Sequence, residues 1–342
     1  MKIVVDVFGG DNSPYAQVKA SVDFCAEFPN DELVLSGDER IIGDELKKYT
    51  YDAARISILH APDVISNDES PAQAIRVKKE SSLVKACDLL KSDETVSAMV
   101  SSGSTGAVLA GSMFRVGRMK GVLRPALAPL LPTRIDDKLV CLIDCGANVD
   151  SKPEYLRQFA LMGSCYMKAV RGVENPRVGL VSVGVEDHKG NELTKAVFPM
   201  LKELPINFVG NMEARDALTG KYDVLVSDGF AGNVLLKSVE GTAQMVMGAL
   251  KDAVMGSTSA KIGSLFMKGA FKKLKKQLDY NNYGGAPFLG IEKPVVKAHG
   301  AATPEAFLAA LKQVRQMVLV DLCGTIKSEL ENVDKEMSAG EN

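Results

Sequence analysis

Runs of β-type apolar residues alternate with helical patterns from one end of this chain almost to the other, and few architectures accommodate that rhythm. The strand-like runs are Lys2 to Val7, Glu32 to Ser36, Arg55 to His60, Thr95 to Ser101, Lys138 to Asp144, Arg177 to Val183, Ile206 to Val209 and Tyr222 to Ser227. Helical patterns fill the gaps over Ser70 to Leu90, Thr105 to Arg118, Pro153 to Val170 and Glu192 to Leu204. Thr303 to Leu330 closes the series as a long helix opened by ThrProGlu, good chemistry for an N-cap followed by the first helical turn. Parallel strands need crossover helices, so the expectation is an α/β fold: Rossmann-like, three-layer α/β/α, with a mostly parallel sheet. No linker and no fixed-period repeat divides the 342 residues, so 1–342 reads as a single α/β domain.

Five of these strands run straight into short loops rich in glycine, asparagine and serine. They are AspValPheGlyGlyAspAsn (Asp6 to Asn12), SerSerGlySerThrGly (Ser101 to Gly106), AspCysGlyAlaAsn (Asp144 to Asn148), HisLysGlyAsnGlu (His188 to Glu192) and AspGlyPheAlaGlyAsn (Asp228 to Asn233). Ligands of open α/β sheets sit where strands end and helices begin, because backbone N–H groups and helix dipoles converge there. An anion site assembled from several loops is therefore expected. Each loop also has a plainer use. The hydroxyls and glycines of Ser101 to Gly106 favour a phosphate or carbonyl cradle over a bare turn, and Lys189 beside Gly190 and Asn191 favours anion binding over a surface turn. Asp144 to Asn148 reads equally as an Asx-capped turn, and Asp228 as a strand terminator, with Gly232 and Asn233 suited to backbone approach to a ligand. His299, in LysAlaHisGly, reads alone as a satisfied buried histidine.

A net charge of −2 gives no global reason to expect nucleic acid. Six scattered cysteines without paired CxxC motifs read as free thiols of a reducing compartment, Cys141 and Cys145 as core and turn. There is no secretory leader pattern and no run of about 20 apolar residues, so a cytoplasmic protein without a membrane span is expected. The chain lacks GxGxxG after its first strand, GxxxxGK[ST] and GxSxG, and its three histidines leave few parts for a metal cluster or a serine triad. No metal site is expected, and an enzyme built this way uses a nucleophile brought by its substrate.

One region departs from the rhythm. After a helix from Asn233 to Met255 and a small-residue break at Gly256 to Ser259, Lys261 to Asp279 places Ile262, Leu265, Phe266, Phe271, Leu274 and Leu278 at mostly helical spacing. Lys261, Lys268, Lys272, Lys273, Lys275 and Lys276 supply six positive charges there against Asp279. Residues 233–285 thus read as a protruding helical segment suited to an anionic bilayer or an acidic partner, the plainer alternative being the solvated face of a packed helix.

The opening LysIleValValAspValPheGlyGlyAspAsnSerPro, then SerSerGlySerThrGlyAla, AspCysGlyAlaAsn, GluAspHisLysGlyAsnGlu and SerAspGlyPheAlaGlyAsnValLeuLeuLys closely resemble, in order, the bacterial phosphate acyltransferases of phospholipid synthesis. These are the acyl-[acyl-carrier-protein]:phosphate acyltransferases. The resemblance runs from Met1 to about Leu330, departing at Phe8, where methionine is usual, and at Asp187-His188, in a stretch usually more acidic. A more distant similarity to phosphate acetyltransferases, on Asp228 through Gly232-Asn233 and on His299-Gly300, leaves an acyl-CoA donor as the alternative.

The resemblance implies that inorganic phosphate attacks the thioester carbonyl of a long-chain acyl group on acyl carrier protein, giving acyl phosphate for phospholipid synthesis. It implies no cofactor beyond the carrier's own phosphopantetheine arm, and a homodimer; the basic composition of Lys261 to Asp279 adds the expectation of a cytoplasmic enzyme held peripherally on the membrane. Lys189 and the amides of Gly103 to Gly106 would hold phosphate, Asn191 and Asn233 would donate to phosphate or oxyanion, and His299 would protonate the leaving thiol. Asp6, Gly9, Gly10, Asp11, Ser102, Ser104, Thr105, Asp144, Gly146, Asn148, Gly190, Asp228, Gly229, Phe230 and Gly232 would complete the substrate-binding loops. The methionine-containing stretch Val234 to Leu250 offers the acyl chain an apolar surface. Two other classes are weighed: a dehydrogenase of the isocitrate type, which needs a metal-carboxylate cluster not found here, and a non-catalytic membrane scaffold, which has no use for five polar strand-end loops.

Overall fold

The structure, a computed structural model, describes residues 1–278 and 283–340, with the side chains of all of these except 275–278 and 337–340. The chain begins β1 (Lys2–Asp6), α1 (Tyr15–Glu27), β2 (Glu32–Gly37), α2 (Glu39–Leu46), β3 (Ile56–His60), α3 (Pro71–Val77), α4 (Ser82–Ser92), β4 (Val96–Ser101) and α5 (Thr105–Gly111). It continues β5 (Ala126–Leu127), β6 (Leu130–Pro132), β7 (Leu139–Ile143), α6 (Pro153–Arg171), β8 (Arg177–Ser182), α7 (Glu192–Lys202), β9 (Asn207–Glu213) and β10 (Val224–Val226). The last third holds α8 (Gly229–Met255), α9 (Thr258–Phe266), α10 (Lys268–Leu278), β11 (Ala286–Leu289), β12 (Val295–Lys297), α11 (Pro304–Leu319) and α12 (Leu322–Gly340).

The expected α/β architecture is present, with its strands shared between two sheets. The first runs β3-β2-β1-β4-β12-β11-β5 and the second β6-β7-β10-β8-β9. β1, β2, β3, β4 and β12 are mutually parallel, as are β7, β10, β8 and β9, while β11 pairs antiparallel with both β12 and the edge strand β5, and the edge strand β6 antiparallel with β7. Ala126 to Pro132 is the seam, giving one short strand to each sheet. Central strands are apolar throughout, as burial on both faces requires: Ile3, Val4 and Val5 of β1, and Val140, Cys141, Leu142 and Ile143 of β7, are fully buried.

Several predicted helices are broken. Ser70 to Leu90 divides into α3 and α4, and Thr303 to Leu330 divides at Val320 and Asp321, the latter at φ +45°. Thr303 does cap α11, its Oγ1 accepting from the Ala306 amide at 3.3 Å. The basic amphipathic stretch forms two helices, α9 and α10, because the Met267 amide turns back onto the Ser264 carbonyl. Lys273 is spent on an ion pair with Asp136, so the hairpin's positive charge is smaller than the sequence count. Asp279 and the side chains of Lys275, Lys276 and Leu278 lie outside the described residues. Among the described residues no helix is long and apolar enough to cross a membrane.

Because strands within each sheet run parallel, their carboxyl ends share an edge. β1, β4 and β12 deliver the loops after Asp6, Ser101 and Lys297 to one edge; β7, β10 and β8 deliver those after Ile143, Val226 and Ser182 to the other.

Candidate active site

A cleft of about 250 Å³ opens between the two sheets. The first sheet contributes Thr105 at the start of α5, Lys297 and His299 at the end of β12, and the Gly284–Gly285 turn. The second contributes Gly146 and Val149 after β7, and Phe230, Asn233, Lys237 and Glu240 from α8. Those four α8 residues follow a three- and four-residue spacing, which puts them on one helix face. Leu127, Pro129, Leu130, Cys145 and Leu236 supply an apolar floor.

The second-sheet wall stands on Asp144, which is fully buried. Its Oδ1 accepts from the amides of Leu127 (2.9 Å), Cys145 (2.8 Å) and Ala147 (3.2 Å), and its Oδ2 from the Asn148 amide (2.7 Å) and side-chain Nδ2 (3.1 Å). Burial pushes this carboxyl upward from the usual range, while those donors favour its charged form. With these five donors on its two oxygens, Asp144 organises the loop. Asn148 is likewise committed, its Nδ2 also reaching the Pro125 carbonyl at 2.8 Å.

Asp228 caps α8, its Oδ1 accepting from the amides of Phe230 (2.9 Å) and Ala231 (2.8 Å), so the positive end of that helix is already filled by a carboxylate. The sequence suggested that Gly232 lets backbone approach a ligand. It lets α8 approach the Asp144 loop instead: a Cβ on Gly232 would fall 1.9 Å from the Asp144 carbonyl oxygen, and one on Gly229 2.4 Å from that of Asn148. Asn233 escapes these structural duties and faces the cleft, with Phe230 exposed at its mouth.

The first-sheet wall stands on Asp6, also buried. Ser101 Oγ donates to Asp6 Oδ2 at 2.7 Å and itself accepts from the Gly103 amide at 3.0 Å, folding the Ser101–Gly106 loop over the end of β1. Asp6 Oδ1 has no hydrogen-bond partner among the described residues. Burial pushes the Asp6 carboxyl up to about 6, against the lowering hydroxyls of Ser101 and Ser82. Ser102 Oγ accepts from the buried Gln17 at 2.7 Å, and Ser104 caps α5 by accepting from the Ala107 amide at 3.2 Å. Gly9 and Gly10 pack on Gly103 and Ser102 respectively, and Gly106 packs against Pro71. The Asp11 amide then donates to the Gly300 carbonyl at 2.8 Å, and Asn12 Nδ2 to those of Ala301 and Ala302, so this first loop fixes the His299 turn. Of this cluster only Thr105 lines the cleft.

Lys297 and Lys237 are the residues that motif composition passed over. Burial, reinforced by the charge of Lys237, pushes Lys297 down to about 8. Lys237 Nζ pairs with Glu240 at 2.8 Å. Burial and the neighbouring Lys297 also lower His299, and its Nδ1 accepts from the Ala301 amide at 3.1 Å, which puts the ring proton on Nε2. Both lysines had a signal: Lys237 follows Asn233 by four residues on one helix face, and Lys297 opens the LysAlaHisGly run.

Lys189, Gly190 and Asn191 lie elsewhere. β8 is on the far side of β10 from β7, and its loop is drawn toward β9 by Asn211, whose Nδ2 donates to the carbonyls of Glu186 (2.8 Å) and Lys189 (3.4 Å). The Lys189 side chain is exposed and does not line the cleft. Asn191 caps α7, accepting from the Thr194 amide (2.9 Å) and hydroxyl (3.0 Å), with Gly190 packed on that same hydroxyl. The cation of the cleft therefore comes from Lys237 and Lys297.

A phosphotransacetylase from Streptococcus pyogenes shares this fold with a TM-score of 0.62 over 93% of this chain and 94% of its own, at 15% identity. The EutD phosphotransacetylase from Staphylococcus aureus does so with a TM-score of 0.59 over 94% of each chain, at 13% identity. At that identity the likeness is one of fold, and it places the chain among proteins of phosphotransacetylase architecture. Sequence goes further. The phosphate acyltransferase of Clostridium novyi (strain NT) is 48% identical over 331 residues, 97% of this chain and 99% of the relative. That of Bacillus cereus (strain B4264) is 46% identical over 331 residues, 97% of this chain and 98% of the relative. A family model described as "Fatty acid synthesis protein" matches residues 1–325. The chain belongs to this family, whose relatives here are phosphate acyltransferases, and it is an acyl-transferring enzyme.

Proposed function

We propose that the acyl donor is a long-chain thioester of acyl carrier protein, the acceptor inorganic phosphate, and the acyl phosphate product a precursor of phospholipid. The observation that carries this is the convergence of Lys237, Lys297, Asn233 and His299 above an apolar floor. Phosphate binds between the two ammonium groups, and one of its oxygens attacks the thioester carbon. Asn233 and the Nε2–H of His299 donate hydrogen bonds to the oxygen and sulfur on which negative charge grows, the C–S bond breaks, and thiolate leaves. No protein nucleophile enters the scheme. Cys145 faces the cleft, but burial raises its thiol far above the range in which it ionises, and its Sγ lies 3.5 Å from the Leu127 carbonyl. Incubation with acyl carrier protein thioester, with and without phosphate, and trapping of acyl phosphate as hydroxamate tests the reading. Equal thioester loss without phosphate would overturn it, and a strict preference for acyl-CoA would favour the alternative donor.

The helices α8 to α10 support two companion proposals. Ile262, Leu265 and Phe266 are 57%, 71% and 90% exposed beside Lys261, Lys268 and Lys272, a composition suited to weak, salt-sensitive contact with anionic lipid. Met245 and Val246 on α8 are exposed apolar residues suited to a second copy of the chain. Phe266→Ser with Lys268→Glu and Lys272→Glu should abolish co-sedimentation with anionic vesicles, and light scattering should report a dimer. Unchanged sedimentation would refute the first, and a monomer the second.

A further inference from the structure

We infer that the cavity bounded by β6, α6 and α11 is the subsite for the far end of the acyl chain. This rests on the long-chain donor proposed above. The active cleft, at about 250 Å³, falls below the roughly 300–1,000 Å³ of ordinary small-molecule pockets, yet it must hold phosphate, the thioester and the tip of the pantetheine arm. A long alkyl chain has to leave it.

A second cavity of about 290 Å³ adjoins the first, and Leu130 is a wall of both. The turn at 283–285 borders both: Tyr283 faces the second cavity, Gly284 and Gly285 the cleft. Gln313 holds that turn. Its Oε1 accepts from the Gly285 amide at 2.7 Å, and its Nε2 donates to the Tyr166 hydroxyl at 2.7 Å. The two buried polar groups satisfy each other and leave the inner walls, including Leu139 and Val170, to alkyl contact. Leu130, which the cavity shares with the cleft, is buried, as are Leu139 and Tyr166, while Arg171 and Gln316 are exposed, so the cavity has dry walls and a wet rim.

Two other apolar surfaces fit less well. The α8 stretch suggested by sequence is open to solvent, Met245 being 66% exposed. The hairpin cavity of about 370 Å³ around Met247, Leu250 and Phe271 shares no lining residue with the cleft.

Ala309 on α11 lines the second cavity, is half-buried and takes no part in the active cleft, so Ala309→Trp fills the space with little strain on the core. Phosphate-dependent turnover would be measured with butyryl and hexadecanoyl thioesters of acyl carrier protein. The variant should lose about tenfold or more in kcat/KM for hexadecanoyl while staying within about twofold for butyryl. Val170→Trp, on the opposing helix, should give the same split and serves if Ala309→Trp fails to fold by thermal melting. Folded variants with the wild-type chain-length profile, or with equal losses on both donors, would overturn the subsite. A wild type inactive on hexadecanoyl but active on butyryl thioester would overturn the long-chain reading itself.

Discussion

The two walls of the cleft are each built on a buried aspartate at a strand end, yet they differ in what protons can do to them. On the second-sheet wall Asp144 is held by five N–H donors, Asp228 is consumed as a cap, and Lys237 is paired with Glu240. On the first-sheet wall Asp6 has an oxygen without a partner among the described residues and is pushed up to about 6, Lys297 is pushed down to about 8, and His299 is lowered from its ordinary value. Burial raises both aspartates, but on the second wall five N–H donors oppose that shift, whereas on the first Asp6 and Lys297 reach the neutral range. Geometry and charge tuning are thus assigned to different sheets.

The largest expected effect falls on the second-sheet wall. Asp144→Ala strands the amides of Leu127, Cys145, Ala147 and Asn148, and should cost about 4 kcal/mol in urea unfolding, against about 1–2 kcal/mol for Asp6→Ala. Equal costs would erase the distinction between the walls.

Next comes the pH dependence of stability. A carboxyl whose pKa is raised in the folded state binds its proton more tightly there than in the unfolded chain. Its favourable contribution is full below the unfolded value near 3.8 and disappears as pH rises through about 6. A rise from 3.8 to about 6 corresponds to about 3 kcal/mol of ionisation penalty above that window. Asp6→Asn should flatten the stability curve between about pH 4 and 6, as read by urea midpoints. A slope in the variant as steep as the wild type's would place the titrating group elsewhere.

The mobile charge should also appear in catalysis. Lys297 carries its charge below about 8 and loses it above, so kcat/KM for phosphate should fall as pH rises through that value. Lys297→Arg should carry this limb to higher pH, because a guanidinium stays charged. Lys297→Met should lower kcat/KM about 100-fold, a loss typical of a donor to developing charge. An alkaline limb that persists in the arginine variant breaks the assignment.

The smallest effect is expected outside both walls. Lys189→Ala should change phosphate kinetics less than about twofold, since the side chain is exposed and does not line the cleft. A loss rivalling that of Lys297→Met would return the anion site to the end of β8.

The α/β class was legible because alternation of strand and helix leaves little choice of architecture, and Asp6, Ser101, Asp144 and Asp228 do stand at strand ends on the edges that meet. The division into two sheets was hidden in Ala126 to Pro132, too short for a periodic signal. Asn233 and His299 were legible as cleft residues; Lys189 stands in the loop after β8, outside the cleft lining. Aspartate, asparagine and glycine shape turns by the same hydrogen bonds with which they hold anions, so composition cannot say whether Asp228 or Asn191 serves its own helix or a ligand. Lys237 and Lys297 drew no notice because the first lies one helical turn past a glycine-rich motif and the second at the end of a three-residue strand, where lysine is ordinary.

α8 spans 27 residues, a rod of about 40 Å, and its root is clamped by Gly229 and Gly232 against the Asp144 loop. Asn233 is one residue beyond the clamp and Lys237 little more than a turn from it. A swing about that root, whatever strikes the far tip, reaches them reduced to a small fraction of its amplitude. The close glycine contact works as a fulcrum placed beside the cleft, insulating Asn233 and Lys237 from whatever α9 and α10 meet at the surface.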